Sequence, residues 1–296
     1  MRLLPSLATL CVFGVLGWCT LPQVIARAAR PRSFGAPAPF AKLTDTRIDE
    51  SSGLAPSRTM AGIYYTHNDS GDSARVFAFD KTGKTLATIN LSGTKAIDCE
   101  DIASTNSHLY LGDIGDNAEK RKSILIYRFA EPKNLDGEMT VEPEILELSY
   151  PDGPHNAETL LVHPSTGALT IVTKTSSGAS GIYQLENVRG AGKYTWKKVG
   201  SVEIASFIKE GKLLTGGDYS PDGKFVVLRT YLQGYEYANP VNGEWWRSKP
   251  ASIRTALEFQ GEAITYSSSG DSILTSTEGK PCAVSQITVK KNDVQL

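Results

Sequence analysis

The strongest constraint on the fold is a unit that occurs five times along the chain. Each copy starts with an acidic or small polar residue followed by apolar ones, at ESSGLA (50–55), CEDIA (99–103), AETLLV (157–162), GGDYS (216–220) and GEAITY (261–266). A tight turn rich in Gly, Pro, Asp or Ser comes next, and two further apolar strands follow it. Short strands in a repeat of roughly 45 to 60 residues are typical of four-stranded propeller blades.

We therefore predict an all-β protein, a β-propeller of five four-stranded blades. Six blades are the alternative if one is hidden between residues 158 and 218. The fifth copy has no room for a fourth strand before Leu296, so the N-terminal segment AKLTDTRI (41–48) is expected to complete it and close the ring. Closure removes an open sheet edge. A β-sandwich is the competing architecture, but it does not require matching charged residues at matching strand ends.

The N-terminus has the pattern of a secretory signal peptide. Arg2 precedes the apolar stretch LLPSLATLCVFGVLGWC, which is short for a membrane span, and the sequence ARA (26–28) offers a cleavage site. We predict a signal peptide (1–28), an extended tail (29–41) and a single propeller domain (42–296). The mature protein would be periplasmic or secreted, monomeric and without a membrane span. An uncleaved N-terminal membrane anchor is the alternative.

Charge and cysteine content exclude some classes of function. The formal net charge is -1, so nothing in the composition indicates binding to nucleic acid. After removal of the signal peptide, Cys99 and Cys282 remain. In an exported protein they could form one disulfide, or they could be two separate buried thiols.

Charged residues recur at equivalent strand ends. The first strands of the units begin at Glu50, Glu100 with Asp101, Glu158, Asp218 and Glu262. The second strands end at Asp69, Asp113, Lys174, Arg229 and Glu278. Because neighbouring strands of a blade are antiparallel, we expect these side chains to gather around one mouth of the central channel. The position of Asp218 is the least certain, since Thr215 aligns equally well.

So many carboxylates in one place indicate a cation. Like charges at close range raise the pKa of carboxyl groups, and a bound cation, a cationic ligand or a shared proton would offset the repulsion. Calcium accepts six to eight oxygen ligands in flexible geometry. The candidate metal ligands are Asp69, Glu100, Asp101, Asp113, Asp116 and Glu158. The alternative for any one of them is a structural role, in which the carboxylate accepts backbone N–H groups.

Basic and aromatic residues at the same ends suggest an anionic ligand. The predicted ligand-binding residues are Lys174, Arg229, Tyr231, Glu262 and Glu278. Arginine pairs well with carboxylate or phosphate groups. If the protein is an enzyme, the predicted catalytic residues are Glu158, His67 and Arg229, because His67 is the best general-base candidate among the four histidines.

Several motifs resemble those of a group of exported bacterial β-propellers. They are DCEDIA (98–103), GDIGDN (112–117) followed by RFAEP (128–132), TGGDYSPDGK (215–224), RTY (229–231) and GEA with STEG (261–279). Such chains are similar to the phytase-like and NHL-like propeller superfamily. The resemblance implies a propeller with calcium and phosphate ligands at an acidic channel mouth, and an esterase-like phytase activity as an expectation.

Three hypotheses about function follow. The first is an exported propeller that binds a cation, calcium being the candidate, and a small polar or anionic ligand at the acidic mouth. The second is a metal-dependent hydrolase of phosphate or sugar esters, in which the metal activates water. The third is a protein-interaction scaffold that uses its loops.

Overall fold

The structure is a computed structural model that describes residues 32–290. Two N-terminal strands come first, β1 (Ser33–Phe34) and β2 (Ala38–Leu43). The next four are β3 (Ser51–Pro56), β4 (Ile63–Asn68), β5 (Arg75–Asp80) and β6 (Thr85–Leu91). They are followed by β7 (Cys99–Ser104), β8 (His108–Asp113), β9 (Ile124–Ala130), β10 (Gly137–Val141) and β11 (Glu144–Ser149).

The second half of the described chain continues the series of strands. The third segment holds β12 (Ala157–Val162), β13 (Leu169–Thr173), β14 (Ala179–Leu185), β15 (Gly192–Thr195) and β16 (Lys197–Glu203). The fourth holds β17 (Leu214–Tyr219), β18 (Phe225–Thr230), β19 (Gly234–Ala238) and β20 (Ala251–Ile253). The last holds β21 (Gly261–Tyr266), β22 (Ser272–Thr277) and β23 (Cys282–Lys290). Two short 3-10 helices, Lys209–Gly211 and Trp245–Arg247, lie in connecting loops.

These strands form five sheets arranged in a ring, which confirms the five-bladed propeller. The innermost strands are β3, β7, β12, β17 and β21, in blades 1 to 5 respectively. Each innermost strand packs against the innermost strands of the two neighbouring blades, and β21 returns to β3. The sheets contain four or five strands each. The alternatives of a sixth blade and of a β-sandwich are therefore excluded.

The N-terminal strands close the ring, as the sequence predicted. β2 and β1 both pair antiparallel with β23, so blade 5 combines the two ends of the described chain. The extended tail predicted for residues 29–41 therefore contributes strands to the blade from Ser33 onward. Backbone pairing with the exposed edge of β23 explains the difference, because that edge is otherwise unpaired. The predicted signal peptide (1–28) lies outside the described residues.

Two short strands missed by sequence analysis join neighbouring blades. β10 follows the third strand of blade 2 but pairs parallel with β6 at the outer edge of blade 1. β15 follows the third strand of blade 3 and pairs parallel with β11 at the edge of blade 2. Both strands are short and largely exposed, and only Met139 and Val141 of β10 and Tyr194 of β15 pack against the apolar clusters, so the sequence signal for a strand is weak.

The core consists of five apolar clusters, one between each pair of neighbouring blades. Representative pairs around the ring are Tyr65 with Ile102, Leu146 with Leu160, Val172 with Leu228, Val227 with Ile264, and Leu274 with Leu54. Because every blade buries both of its faces in this way, the relative positions of the innermost strands are fixed by the whole ring.

The two cysteines lie in different clusters. Cys99 packs in the cluster between blades 1 and 2, and Cys282 packs between blades 5 and 1. Both are free and buried. They are therefore two separate thiols and form no disulfide with each other. Within residues 32–290, no helix has the length and apolar character needed to cross a membrane.

Ring closure by β2 gives a first prediction. Leu43 is 1 % exposed and packs between blades 5 and 1, whereas the neighbouring Lys42 side chain is exposed. Leu43→Ala should lower the free energy of unfolding by about 2–4 kcal/mol, because it leaves a cavity where the ring closes. Lys42→Ala should change it by less than about 0.5 kcal/mol. Denaturant unfolding of both variants measures the difference, and equal values would contradict the role of β2.

Candidate functional site

The candidate site is the channel mouth at which the five innermost strands begin. In every blade, the pairing of the first strand with the second contains a β-bulge close to its first pair. A bulge leaves one residue unpaired and redirects its side chain. The residues in these bulges are Ser52, Glu100, Glu158, Thr215 and Glu262. Bulge geometry therefore explains why polar residues recur at strand starts in an otherwise apolar repeat.

The two short bulge residues hold neighbouring blades together. The hydroxyl of Ser52 donates to the carbonyl oxygen of Glu100 at 2.9 Å. The hydroxyl of Thr215 donates to the carbonyl oxygens of Gly261 and Glu262, at 3.1 and 2.8 Å. Thr215 thus occupies the bulge position that the sequence assigned less securely to Asp218. Only the three longer side chains, those of the glutamates, extend from this ring of bulges.

Three carboxylates converge on blades 1 and 2. Oxygen atoms of Asp69, Asp98 and Glu100 all lie within 4.8 Å of one another. Asp69 follows β4, Asp98 immediately precedes β7, and Glu100 is the bulge residue of blade 2. The Glu100 side chain is 3 % exposed, and its carboxylate accepts no hydrogen bond from residues 32–290. Hard oxygen ligands at this spacing are suited to a cation such as calcium.

The GDIGDN loop builds this cluster without supplying ligands to it. The Asp113 carboxylate accepts the backbone N–H groups of Ile97 and Asp98, both at 3.1 Å, and an Nη1–H of Arg121 at 2.8 Å. The Asp116 carboxylate accepts the backbone N–H of Arg121 at 2.7 Å. Both acids, predicted as metal ligands, are therefore used to shape the loop that presents Asp98.

Gly115 leaves the space that two of the carboxylates occupy. A Cβ atom at this position would overlap Oδ2 of Asp98 and Oε1 of Glu100. The backbone of Gly115 also accepts a hydrogen bond from Arg121 at 2.7 Å, which keeps it close to the cluster. A glycine between two aspartates is thus required by the close approach of backbone and carboxylates.

A second group of charges lies beside the cluster. The Lys174 ammonium donates to Oε1 of Glu158 and, at 2.8 Å, to the hydroxyl of Tyr231. Its charge also lies 4.8 Å from the centre of the Tyr231 ring. Burial opposes the charged form of Lys174, but the attraction of Glu158 outweighs it and raises the pKa of the ammonium. This pair is partly desolvated and places one cation at the edge of an acidic site.

Burial and mutual repulsion raise the pKa of the carboxyl groups at the mouth. Burial, followed by the charge of Glu158, raises the pKa of Glu262 to about 8. Burial, followed by the charge of Asp69, raises the pKa of Asp98 to about 6. Burial and the charges of Glu158 and Asp69 raise the pKa of Glu100 well above its usual range. At neutral pH, without a cation, the site therefore retains protons.

The remaining acids of the mouth form its outer edge. Burial raises the pKa of Glu50, Asp69 and Glu278. Glu278 was predicted to bind the ligand and lies close enough to Asp69 and Glu50 to be raised further by their charges. These groups extend the negative potential outward from the three-carboxylate cluster.

Two predicted acids lie deeper in the fold and hold backbones together. The oxygens of Asp101 accept the backbone N–H groups of Ile102 and Leu160, both at 2.9 Å. Asp218 accepts the backbone N–H of Tyr266 at 3.1 Å and the hydroxyl of Thr265 at 2.8 Å. Both residues therefore have the structural role that was the alternative to metal binding, in which the carboxylate accepts backbone N–H groups.

The two remaining catalytic candidates are buried away from solvent. Arg229 is 0 % exposed; it pairs with Glu258 and donates to the carbonyl oxygens of Ala263 and Ser276, at 3.0 and 3.2 Å. Its donors are thus used within blades 4 and 5. His67 is 1 % exposed, its Nδ1–H donates to the carbonyl oxygen of Asn68 at 2.8 Å, and burial lowers its pKa to about 4.

Asp98 and Gly115 were not among the predicted site residues, although they lie inside the motifs DCEDIA and GDIGDN. Asp98 is the first residue of DCEDIA, but it precedes the strand and therefore fell outside the strand-end pattern. Gly115 appeared to be a turn residue. Asp113 itself could have pointed to Asp98, because a carboxylate at the end of β8 needs hydrogen-bond donors, and the loop before β7 supplies them.

Comparison with known proteins supports the fold alone. No family model and no curated relative matches the chain, so the phytase-like and NHL-like resemblance rests on the motifs. A solved structure with a similar fold is a gluconolactonase from Xanthomonas campestris, described as important in glucose secondary metabolic pathways. It has 12 % sequence identity and a TM-score of 0.50, and the match covers 89 % of this chain and 100 % of that one.

The raised pKa of Glu262 predicts a loss of stability at alkaline pH in the presence of a chelator. The folded protein keeps the proton up to a pKa of about 8, whereas an unfolded glutamate releases it near pH 4.3. The folded state therefore binds more protons, and the free energy of unfolding should fall by about 2 kcal/mol from pH 6.5 to pH 8. Denaturant unfolding at the two pH values measures this change.

Matched variants identify the group responsible for the pH dependence. Glu262→Gln removes one titrating carboxyl and should make the fall between pH 6.5 and 8 smaller by about 2 kcal/mol. Glu158, whose pKa is raised by burial to about 7, still titrates in this range. Glu186→Gln replaces an exposed glutamate and should leave the fall unchanged. The range starts at pH 6.5 because the lowered pKa of His67 affects stability only below that value. An equal fall in the Glu262→Gln variant would show that Glu262 is ionised throughout.

Proposed function

We propose that this protein is an exported propeller that binds a calcium-like cation at Asp69, Asp98 and Glu100, together with a small polar or anionic ligand. The observation that carries the proposal is the convergence of these three carboxylates within 4.8 Å. The Glu100 carboxylate lies close to two other carboxylates and accepts no hydrogen bond from the described residues, so its charged form is unfavourable unless a cation is bound. Export follows from the signal-peptide pattern.

The ligand would lie between the cation and Lys174. The Lys174 side chain is 11 % exposed, and its positive charge lowers the pKa of both Glu100 and Glu262. An anionic group could accept a hydrogen bond from the ammonium while one of its oxygens binds the cation. Tyr231 fixes the ammonium from the other side. This arrangement places a positive charge on each side of the ligand and carboxylates around it.

Calcium titration tests the cation site. At pH 8 the protein should bind calcium with release of protons, because the carboxyl groups must ionise. Saturation at 100 times the dissociation constant should stabilise the fold by about 2.7 kcal/mol. Calorimetry in two buffers of different ionisation enthalpy measures both the affinity and the number of protons released. No heat and no stabilisation would favour the scaffold hypothesis.

Two variants separate the proposed ligands from the rest of the mouth. Glu100→Gln removes a ligand, and Gly115→Ala places a methyl group where the Asp98 and Glu100 oxygens lie. Each should weaken calcium binding by at least about tenfold. Asp152→Asn alters an acid that pairs with Lys198 and His155 away from the cluster, so it serves as the control. Equal calcium affinity in all three variants would place the ion elsewhere.

A second candidate function is hydrolysis of an ester, lactone or phosphate ester. Glu158, held against Lys174 and beside the three-carboxylate cluster, favours it, because one group can accept a proton and the other can stabilise a developing anion. A bound cation would polarise the substrate and lower the pKa of water. The fold shared with a gluconolactonase is compatible with this candidate.

Hydrolysis is tested by assaying lactones, sugar esters and phosphate esters with calcium and with a chelator. Lys174→Met should lower kcat/KM for a substrate by about 100-fold or more, since it removes the charge that stabilises the developing anion. Lys193→Met changes an exposed lysine and should have no effect. Absence of turnover with every substrate class, combined with tight calcium binding, would leave the binding function alone.

A further inference from the structure

Large apolar side chains exposed to solvent are concentrated on one face of the protein. Among residues 32–290, six of the seven such side chains belong to segments at the mouth: Ile97, Phe207, Ile208, Leu232, Leu257 and Phe259. Phe207, Leu257 and Phe259 are 109, 104 and 99 % exposed. The seventh, Val241, follows β19 on the opposite face. Apolar groups collected on one face indicate an interaction surface.

Five of these side chains form what we call the apolar rim: Phe207, Ile208, Leu232, Leu257 and Phe259. They lie on three segments that lead into or out of innermost pairs of strands in blades 4 and 5, residues 204–213, 231–233 and 254–260. The segments are in contact, since Leu232 packs beside Gly211 and its carbonyl oxygen accepts a hydrogen bond from Thr255 at 3.1 Å. The three segments that carry the rim are therefore adjacent across both blades.

The apolar rim borders the mouth directly. Leu232 follows Tyr231, whose hydroxyl accepts the hydrogen bond from Lys174. Phe259 precedes Gln260, whose carbonyl oxygen accepts the backbone N–H of Glu278 at 3.2 Å. The mouth thus combines carboxylates from blades 1, 2, 3 and 5 with apolar side chains on loops of blades 4 and 5.

We propose that the ligand of the mouth is a free amphiphile, with an anionic head held at the cation and Lys174 and an alkyl or acyl chain lying on the apolar rim. The inference rests on the proposed function and names the class of ligand. A cavity of about 640 Å³ on the blade 3 side of Phe207, lined also by Ser177, Glu203 and Lys212, adjoins one end of the rim. One molecule with two ends matches a mouth with two kinds of surface.

The charges of the loop favour a free molecule over an anionic membrane surface. Residues 203–213 contain two lysines and two glutamates, so the segment that carries Phe207 has no excess of positive charge. Attraction to anionic lipids requires a cluster of basic residues beside the inserted apolar ones. The acidic groups of the mouth would add repulsion from such a surface.

The test compares acetate with octanoate on the calcium-loaded protein. Octanoate carries the same head and six additional carbon atoms, and burial of its chain on the rim should make it bind at least about tenfold more tightly. The double variant Phe207→Ser with Phe259→Ser should lose this preference and keep the calcium affinity of the original protein. Val241→Ser removes an exposed apolar side chain of the opposite face and should keep both. Calorimetric competition measures all of these affinities.

Several results would overturn the inference while leaving calcium binding intact. They are equal affinity for acetate and octanoate, or an octanoate preference that the double variant retains. Binding to phosphatidylglycerol vesicles without any preference for octanoate would identify a membrane surface instead. A dimer in light scattering that the double variant abolishes, again without that preference, would identify a second copy of the chain.

Failure of the proposed function gives a different result. If calcium does not bind to the original protein, or if octanoate binds equally well with a chelator, then no cation holds the head group. The first outcome removes the cation site, whereas the second removes the link between that site and the apolar rim.

Discussion

Closure of five blades around one axis is the constraint on which the rest of the structure depends. Each blade buries both faces against its neighbours, so the innermost strands cannot move apart without exposing apolar side chains. The bulge residues Glu100, Glu158 and Glu262 are consequently held near one another despite their mutual repulsion. The free energy gained by burying the apolar clusters offsets the electrostatic repulsion between these carboxylates, which in an open sheet would separate. The raised pKa values at the mouth result from this enforced proximity and from burial.

The same constraint explains why the acids near the mouth have two different roles. Asp101, Asp113 and Asp218 are fully or nearly buried and accept backbone or hydroxyl hydrogen bonds that connect strands or shape loops. The side-chain carboxylates of Asp98 and Glu100, by contrast, accept no hydrogen bonds within the described chain and lie close together beside Gly115. Acids of the first kind make the site rigid, and acids of the second kind leave oxygen atoms free for a ligand. Preorganisation of this type lowers the cost of binding.

The sequence predicted the fold well because repeated strand and turn patterns are local properties. Five copies of one unit, and a missing fourth strand in the last, were enough to predict the ring and its closure by the N-terminal segment. The outer strands β10 and β15 were missed because each pairs with a different blade and each is short, with few apolar side chains. Strand-end counting also placed Glu100, Glu158 and Glu262 together correctly at one mouth. It could not distinguish Asp113, both of whose oxygens accept hydrogen bonds, from Asp69, which within the described chain accepts only the backbone N–H of Ser70, because that difference depends on where loop N–H groups point.

Arg229 shows why charge pattern alone does not identify a ligand-binding residue. Asp113 pairs with Cys99 before the bulge of blade 2, whereas Arg229 pairs with Gly216 after the bulge of blade 4. Thr230 therefore occupies the position equivalent to Asp113, and Arg229 lies one residue earlier. Arg229 is drawn inward by Glu258 and by backbone carbonyl groups, which leaves Lys174 as the cation beside the buried glutamates. The loop before β21, residues 254–260, supplies Glu258 and also carries Leu257 and Phe259 outward. The ion pair thus anchors the segment that gives the mouth its apolar side, so one buried arginine shapes the ligand surface without contacting the ligand.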